Sequence, residues 1–175
     1  MNTDLFEQGY KKDFDKIIQR HSDMGFHLSS KIICDTDITS TVSEKWFGER
    51  SYGICDFEDN IYVDPNLIHM DSHLQDDWLS VPRSISAAIA HELGHVQHIH
   101  TLRLMGLKSS EFCNAVVHPL KLKYQWHQPE NISQYAQTNY VEFVAEVHAL
   151  VLFGLPCPIW ALDVWSSAVK DGKLP

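Results

Sequence analysis

The sequence predicts an α+β protein, because short strand-like segments are grouped in the first part of the chain, after one N-terminal helical segment, and the other helical segments follow them. Residues 27–34, 52–57 and 61–63 are short apolar-rich runs of the kind that form strands. From about residue 80 to 170 the chain is predicted to be mainly helical, with a polar, loop-like stretch at 127–138. No linker or repeat divides the chain, which predicts a single domain over residues 1–175.

The N-terminal segment is predicted to be an amphipathic helix over residues 3–20. Its apolar residues recur at helical spacing: Leu5, Phe6, Tyr10, Phe14, Ile17 and Ile18. Within the sheet region, at about 27–64, the polar Glu58-Asp59-Asn60 predicts the turn of a hairpin. The polar stretch 71–82 is then expected to connect the sheet to the helical part.

Four helices are predicted in the C-terminal part of the chain. The first has Ser84 as its N-cap and ends at about Met105, before a glycine. The second, over 109–126, contains a proline that is expected to interrupt it. The last two are expected at about 139–153 and 158–169, with a glycine and prolines between them.

Composition and charge exclude several classes of protein. With 44% hydrophobic and 21% charged residues, the 175-residue chain has an ordinary globular composition and can bury a core. The formal net charge of −9 argues against nucleic acid as a partner. The most apolar stretch, 147–165, contains His148, two prolines and Asp163, so it predicts two packed helices rather than a membrane span.

The N-terminus and the cysteines bear on the compartment. The chain begins without a basic segment followed by an apolar one, so we expect a cytoplasmic protein or one delivered into a host cell. The four cysteines are widely spaced and form no CxxC pair, which favours reduced thiols in the core over two disulfides: Cys34, Cys55, Cys113 and Cys157.

The segment His91-Glu92-Leu93-Gly94-His95 spells HExxH inside the predicted long helix. Residues four apart share a helix face, so His91 and His95 can hold one metal ion between them. Glu92 can then reach a metal-bound water without ligating the metal. With 11 histidines in the chain, the alternative is a chance pair of half-buried or solvated side chains.

A catalytic zinc needs a third protein ligand and one open position. The metzincin pattern would require Gly at position 98 and His at position 101, but His98 and Thr101 stand there. His98 lies one turn too far along the helix to reach the same ion, so we expect a partly buried or surface histidine.

Glu142 and Glu146 offer another source, since they share one face of an otherwise apolar helix. Two such acids repel each other and lose hydration unless a cation lies beside them. A zinc ion with its histidines would provide that cation, with Glu142 on the metal and Glu146 on the far nitrogen of a ligating histidine. The alternative is a capping box formed by Asn139 and Glu142, with Glu146 solvated.

HExxH followed far downstream by ExxAE resembles the gluzincin metallopeptidases. Residues 135–146 read Tyr-Ala-Gln-Thr-Asn-Tyr-Val-Glu-Phe-Val-Ala-Glu, which is similar to Tyr-x-x-Thr-Asn-x-x-Glu-Phe-x-Ala-Glu of the anthrax lethal factor-like family. That family includes the secreted Pro-Pro endopeptidases. The resemblance covers roughly residues 85–150, and the chain departs from the secreted members by lacking a visible export signal.

The resemblance implies a zincin-like fold, with a small N-terminal mixed sheet, an HExxH helix and a C-terminal helical part. It implies one catalytic Zn²⁺ held by His91, His95 and Glu142, with Glu92 as general base. It also implies that the Tyr135 phenol faces the substrate carbonyl oxygen. Glu146 and Asn139 are expected to position the metal ligands without binding the metal themselves.

These expectations predict a zinc endopeptidase that cleaves a peptide bond in a protein. The substrate is expected to lie extended along an edge strand, for which 52–57 and 61–63 are candidates, the alternative being that both are ordinary strands of the sheet with no role in binding. One alternative is a zinc-stabilised binding or regulatory protein that cuts nothing. Another is a protease effector or toxin with one narrow target.

Overall fold

Helices and one small sheet make up the fold, which confirms the α+β class. A computed structural model of the chain describes residues 10–29, 31–47, 51, 53–66, 80–81, 84–124 and 132–170. The elements in chain order are α1 (Tyr10–Asp23), β1 (Lys31–Cys34), α2 (Thr36–Phe47), β2 (Gly53–Cys55), β3 (Asn60–Val63), α3 (Ile85–Met105), α4 (Ser109–Phe112), a π-helical turn (Cys113–Val117), α5 (His118–Lys123), a 3-10 turn (Tyr135–Gln137), α6 (Tyr140–Phe153) and α7 (Ile159–Val169).

The sheet has the strand order β1-β3-β2, so β3 is its middle strand. β1 runs parallel to β3, and β2 pairs antiparallel with it, with Ile54 opposite Tyr62. The predicted hairpin is therefore confirmed as β2 and β3. Because β3 is paired on both sides, the prediction that residues 61–63 offer a free edge is wrong. Among the described strands, β2 is the hairpin strand at the edge.

Helix α2 is an element that the sequence patterns did not predict. Its sequence is rich in serine and threonine, which favour caps and turns over helix interiors. The Asp35 carboxylate supports its first turn by accepting a hydrogen bond from the Ile38 N–H at 2.9 Å. α2 packs against β2 and β3. Tertiary packing thus outweighs a weak local helix propensity.

Helix α3 begins and ends at its predicted caps. The Ser84 Oγ accepts a hydrogen bond from the Ala87 N–H at 3.0 Å, and Gly106 adopts the left-handed conformation with φ of 64°. The helix packs against α1, the β2–β3 hairpin, α6 and α7. Its residues Ile89 and Leu93 are fully buried. Side chains from the sheet and from α6 can therefore meet along α3.

The helical segment around Pro119 continues where an interruption was predicted. The backbone widens into the π-helical turn Cys113–Val117 and then enters α5, with Pro119 at its start. A proline has no N–H to donate, and its ring needs space in the preceding turn. A widened turn is a common way to meet that need. The predicted break is thus a local change of helix geometry.

The remaining predicted helices agree with the structure at their ends. α6 starts at Tyr140 after Asn139 as N-cap, and α7 starts at Ile159. The N-terminal helix is observed as Tyr10–Asp23, and residues 1–9 lie outside the described residues, as do residues 71–79 of the predicted connector. All four cysteines are free, as predicted. Among the described residues, no helix has the length and hydropathy that crossing a membrane requires.

Gly94 sets the distance between α3 and α6. A Cβ at this position would lie 2.8 Å from the Ala145 Cα and 2.9 Å from the His148 Cβ. Both atoms belong to α6, and one of them is backbone, so no simple rotation of a side chain makes room. The glycine inside the HExxH segment therefore allows the two helices to pack closely.

Gly94→Ala should lower both stability and metal affinity. A glycine-to-alanine change inside a helix normally stabilises it by about 1 kcal/mol. Here the added methyl group overpacks the crossing and should reduce the free energy of unfolding by about 1–3 kcal/mol. Urea unfolding and zinc titration measure the two effects. A stabilised Gly94→Ala variant with normal zinc affinity would show that the crossing is not tight.

A buried chain of hydrogen bonds joins α1, α6 and α7. The Trp165 Nε1–H can only donate, and it donates to the His148 Nδ1 at 3.1 Å. His148 then donates from Nε2 to the His21 Nδ1 at 3.0 Å, and His21 donates from Nε2 to the His27 carbonyl at 2.8 Å. This pattern requires both rings to be neutral. Burial lowers the pKa of His21 and lowers the pKa of His148 well below its usual range.

The two histidines should make the folded state less stable in mild acid. Below the unfolded-state pKa of about 6.5 they gain protons in the unfolded chain but not in the folded one, so stability falls as the pH decreases. Each contributes a slope of up to about 1.4 kcal/mol per pH unit. His148→Gln keeps an acceptor for Trp165 and a donor for His21, and should remove one such contribution.

Urea unfolding of the metal-free protein between about pH 5 and pH 7.5 measures this slope. Asn114 is exposed and does not ionise, so Asn114→Gln provides a control that should leave the slope unchanged. Equal slopes for the wild-type protein and His148→Gln would contradict the assignment.

Candidate metal centre

Two helices bring three potential ligand atoms together. His91 and His95 come from α3, and Glu142 comes from the first turn of α6. The His91 Nε2 lies 3.0 Å from the His95 Nε2 and 3.0 Å from the Glu142 Oε2, and the His95 Nε2 lies 3.2 Å from the same oxygen. The three atoms therefore form a nearly equilateral triangle between residues far apart in sequence.

The size and chemistry of this triangle fit a metal ion. Tetrahedral ligands at zinc bond lengths lie about 3.4 Å from one another, close to the three distances found. A neutral imidazole nitrogen and a carboxylate oxygen both carry lone pairs, which repel at this separation unless a proton or a metal ion lies between them. Two imidazoles and one carboxylate are the donor set of catalytic sites that keep a fourth position open.

The pKa shifts show that this site favours positive charge. Burial alone would lower the pKa of His91, but the hydrogen bonds with Glu142 and Glu146 raise it well above its usual range. Burial alone would raise the pKa of Glu142, but the hydrogen bonds with His91 and His95 hold it far below its usual range. The carboxylates are therefore ionised and attract a cation to the histidine pair.

Glu146 fixes the orientation of His91 from behind. Its Oε1 accepts a hydrogen bond from the His91 Nδ1 at 2.8 Å, which turns the Nε2 of that ring toward the site. The Glu146 Oε2 accepts from the Ser80 N–H at 2.6 Å, and a Ser133 hydrogen bond adds to these. Glu146 is only 1% exposed. The alternative of a solvated surface acid is therefore wrong.

Asn139 is the N-cap of α6, as the capping alternative predicted. Its Oδ1 accepts hydrogen bonds from the Val141 N–H at 2.9 Å and the Glu142 N–H at 3.0 Å. The Glu142 side chain points to the histidine pair and does not complete a capping box. Asn139 thus fixes the backbone from which Glu142 extends.

Glu92 lies beside the triangle and is nearly fully buried. His91, Glu92 and His95 each have a potential ligand atom, and these atoms lie within 4.8 Å of one another. The Glu142 oxygen lies 3.0 and 3.2 Å from the two ring nitrogens, so Glu142 is the stronger candidate for a third ligand. Burial raises the pKa of Glu92, while His95 and His91 act in the opposite direction. A carboxylate with a raised pKa is a stronger base.

Tyr135 lies in the 3-10 turn that precedes α6 and faces the same site. Its ring centroid is 5.5 Å from that of His91. Burial raises the pKa of Tyr135, and the nearby carboxylates of Glu142 and Glu92 raise it further. The phenol therefore keeps its proton at neutral pH and can donate a hydrogen bond.

His98 does not join the site. It is 1% exposed, so it is more deeply buried than expected. Its Nδ1 donates to the Ala168 carbonyl at 2.9 Å, and its Nε2 lies 3.3 Å from the Tyr140 hydroxyl. Burial lowers the pKa of His98 to about 4. This neutral side chain ties α3 to α7.

Four residues that support the site were not predicted from the sequence. Ser80 and Ser133 hold Glu146, and Gly53 and Cys55 of β2 contact Glu92. Single serines, a glycine and a backbone amide carry no sequence pattern that reveals such contacts. Comparisons of the chain with family models, with curated proteins and with solved structures found no match.

Proposed function

We propose that this protein is a zinc-dependent endopeptidase with a zincin-like domain of the gluzincin type. The observation that carries the proposal is the convergence of His91, His95 and Glu142 beside the buried carboxylate of Glu92. A purely structural site needs no acid at that place, whereas a hydrolytic site needs a base beside an open metal position.

The proposed ligands are His91, His95 and Glu142, and their donor atoms match the preference of zinc for nitrogen and oxygen in a four-coordinate site. When bound, a zinc ion lowers the pKa of a water molecule toward neutrality and polarises a carbonyl group. Glu146 keeps the His91 ring in the orientation and tautomer that binding requires.

Glu92 is the proposed general base. Its buried carboxylate takes a proton from the attacking water and passes it to the leaving amine as the peptide bond breaks. The raised pKa of Glu92 suits both steps, since the group must first accept and then release the proton near neutral pH.

Tyr135 is the proposed donor to the developing oxyanion. Its pKa is raised, mainly by burial, so the hydroxyl keeps its proton at neutral pH, and a hydrogen bond with Glu142 holds it beside the proposed ligands. One such donor typically contributes about 3 kcal/mol to the stability of the transition state.

The proposed substrate is a peptide that lies extended beside β2. The Asp56 N–H donates to the Asn60 carbonyl at 2.9 Å. Hydrogen-bonded and non-hydrogen-bonded pairs alternate along an antiparallel ladder. The backbone groups of Gly53 and Cys55 therefore point away from β3, toward the outer edge of the sheet. There the Gly53 carbonyl accepts a hydrogen bond from the Ser51 hydroxyl at 2.7 Å. The Cys55 N–H faces Glu92. An extended peptide can pair with the Gly53 N–H and the Cys55 carbonyl at such an edge.

New N-termini in a proteome test the proposed function. Zinc-loaded protein is added to a cell lysate, with one arm containing a chelator and another containing the Glu92→Gln variant. We expect cleavage products in the first arm only. One or a few cuts would identify a narrow-specificity protease, and no cuts in any arm with zinc bound would support the binding or regulatory alternative.

A further inference from the structure

We propose that β2 forms a seat for the general base, in which Gly53 and the backbone of Cys55 fix the position of the Glu92 carboxylate. Gly53 is thus a positioning residue, and its lack of a side chain is the property that matters. This inference rests on the proposed function of Glu92, but the contacts that define the seat can be tested separately from catalysis.

The first support is the space at Gly53. A Cβ built there would lie 2.7 Å from the Glu92 Oε1, 3.0 Å from its Cγ and 3.2 Å from its Cδ. The shortest of these distances is below the range of Cβ contacts found in proteins. All three nearest atoms belong to Glu92. The glycine therefore makes room for this one side chain.

The backbone at position 53 gives no other reason for a glycine. The described glycines with positive φ are Gly25, Gly106 and Gly154, and Gly53 is not among them. An L-residue can therefore adopt the strand conformation at position 53 without backbone strain. Alanine would also lose less conformational entropy than glycine in a strand.

The second support is the outer edge of β2. Gly53 and Cys55 lie two residues apart, so their backbone N–H groups point to the same edge of the strand. Helix α3, which carries Glu92, packs against β2, and hydrogen bonding with the Cys55 backbone acts on the Glu92 carboxylate. The space at Gly53 thus defines where the carboxylate lies, and the Cys55 backbone adds to it.

A side chain at position 53 should displace Glu92 and spare the metal ligands. The clashing atom is the far end of a flexible side chain, so rotation of Glu92 relieves the contact at lower cost than movement of the strand. No atom of His91, His95 or Glu142 is among the three atoms nearest to the added Cβ. A misplacement of about 1 Å at a reacting group can reduce the rate on the order of 100-fold.

Gly53→Ala and Glu92→Ala, alone and combined, form the test. Each zinc-loaded protein is measured for its thermal midpoint and zinc affinity, and the variants that keep Glu92 are measured for kcat and KM. We expect Gly53→Ala to lower kcat on the order of 100-fold, with KM and zinc affinity unchanged.

In the Glu92→Ala background the clash is absent, so Gly53→Ala should raise the thermal midpoint by about 2–4 °C. In the wild-type background that gain should be missing or reversed.

The control is Glu58→Ala, an exposed position in the turn of the same hairpin, which should change none of these quantities. Equal midpoint shifts in the two backgrounds would overturn the seat, whatever the activity. An unchanged kcat in Gly53→Ala would also overturn it. A background-dependent midpoint with no cleavage by the wild-type protein would support the seat and overturn the proposed function.

Discussion

Glu142→Ala should remove high-affinity zinc binding and leave the fold intact. Glu142 is the only one of the three proposed ligands that comes from α6, and its oxygen lies within 3.2 Å of both histidine nitrogens. Loss of a residue that hydrogen-bonds a metal ligand, without binding the metal, typically lowers metal affinity 10- to 100-fold. Loss of a ligand itself should therefore exceed about 100-fold. Competition with a chromophoric chelator measures the affinity.

Two further variants provide reference values for the zinc affinity of Glu142→Ala. Glu58→Ala removes an exposed carboxylate far along the hairpin and should leave zinc affinity unchanged. The zinc affinity of Glu146→Gln should lie between those of Glu58→Ala and Glu142→Ala, because Glu146 orients His91 but is not one of the three proposed ligands. If Glu142→Ala binds zinc as tightly as Glu58→Ala, the third ligand is another residue, and Glu92 is the next candidate.

Glu92→Gln should retain zinc and lose nearly all peptidase activity. Glutamine has the shape of glutamate but cannot accept the proton of the attacking water at neutral pH. General acid–base catalysis contributes about 10²- to 10⁴-fold, so kcat should fall by that factor. KM should change little, because Glu92 is buried and its proposed role is in proton transfer. Steady-state kinetics on a peptide from the identified cleavage site provide the measurement.

Zinc content provides the control for that experiment. The Glu92→Gln variant and the wild-type protein should bind one equivalent each with similar affinity, since Glu92 lies outside the closest triangle. A variant that keeps full activity would exclude Glu92 as the general base. A variant that loses zinc together with activity would show that Glu92 is a ligand.

The sequence predicts best those parts of the fold that local signals determine. Ser84 and Gly106 fix the ends of α3 through capping geometry that depends on a few neighbouring residues. Helix α2 was missed because its Ser- and Thr-rich sequence is a poor helix former, and packing on β2 and β3 stabilises it. The π-helical turn before Pro119 was also missed, because the widening depends on tertiary context.

For the site, the predictable part is the set of charged side chains. Two acids on one apolar helix face, downstream of HExxH, predicted that Glu142 and Glu146 would meet the histidines, and the structure brings them together. Tyr135 was expected only from the family resemblance. Gly53 and Ser80 could not be found, because their contacts depend on the packing of distant segments.

Anomalous diffraction at the zinc edge from crystals of the zinc-loaded protein locates the ion and its ligands in one experiment. We expect one strong zinc peak, bonded at about 2.0–2.2 Å to the Nε2 atoms of His91 and His95 and to an oxygen of Glu142. A peak elsewhere, or the Glu142 carboxylate turned away from the histidine pair, would rule out this ligand set.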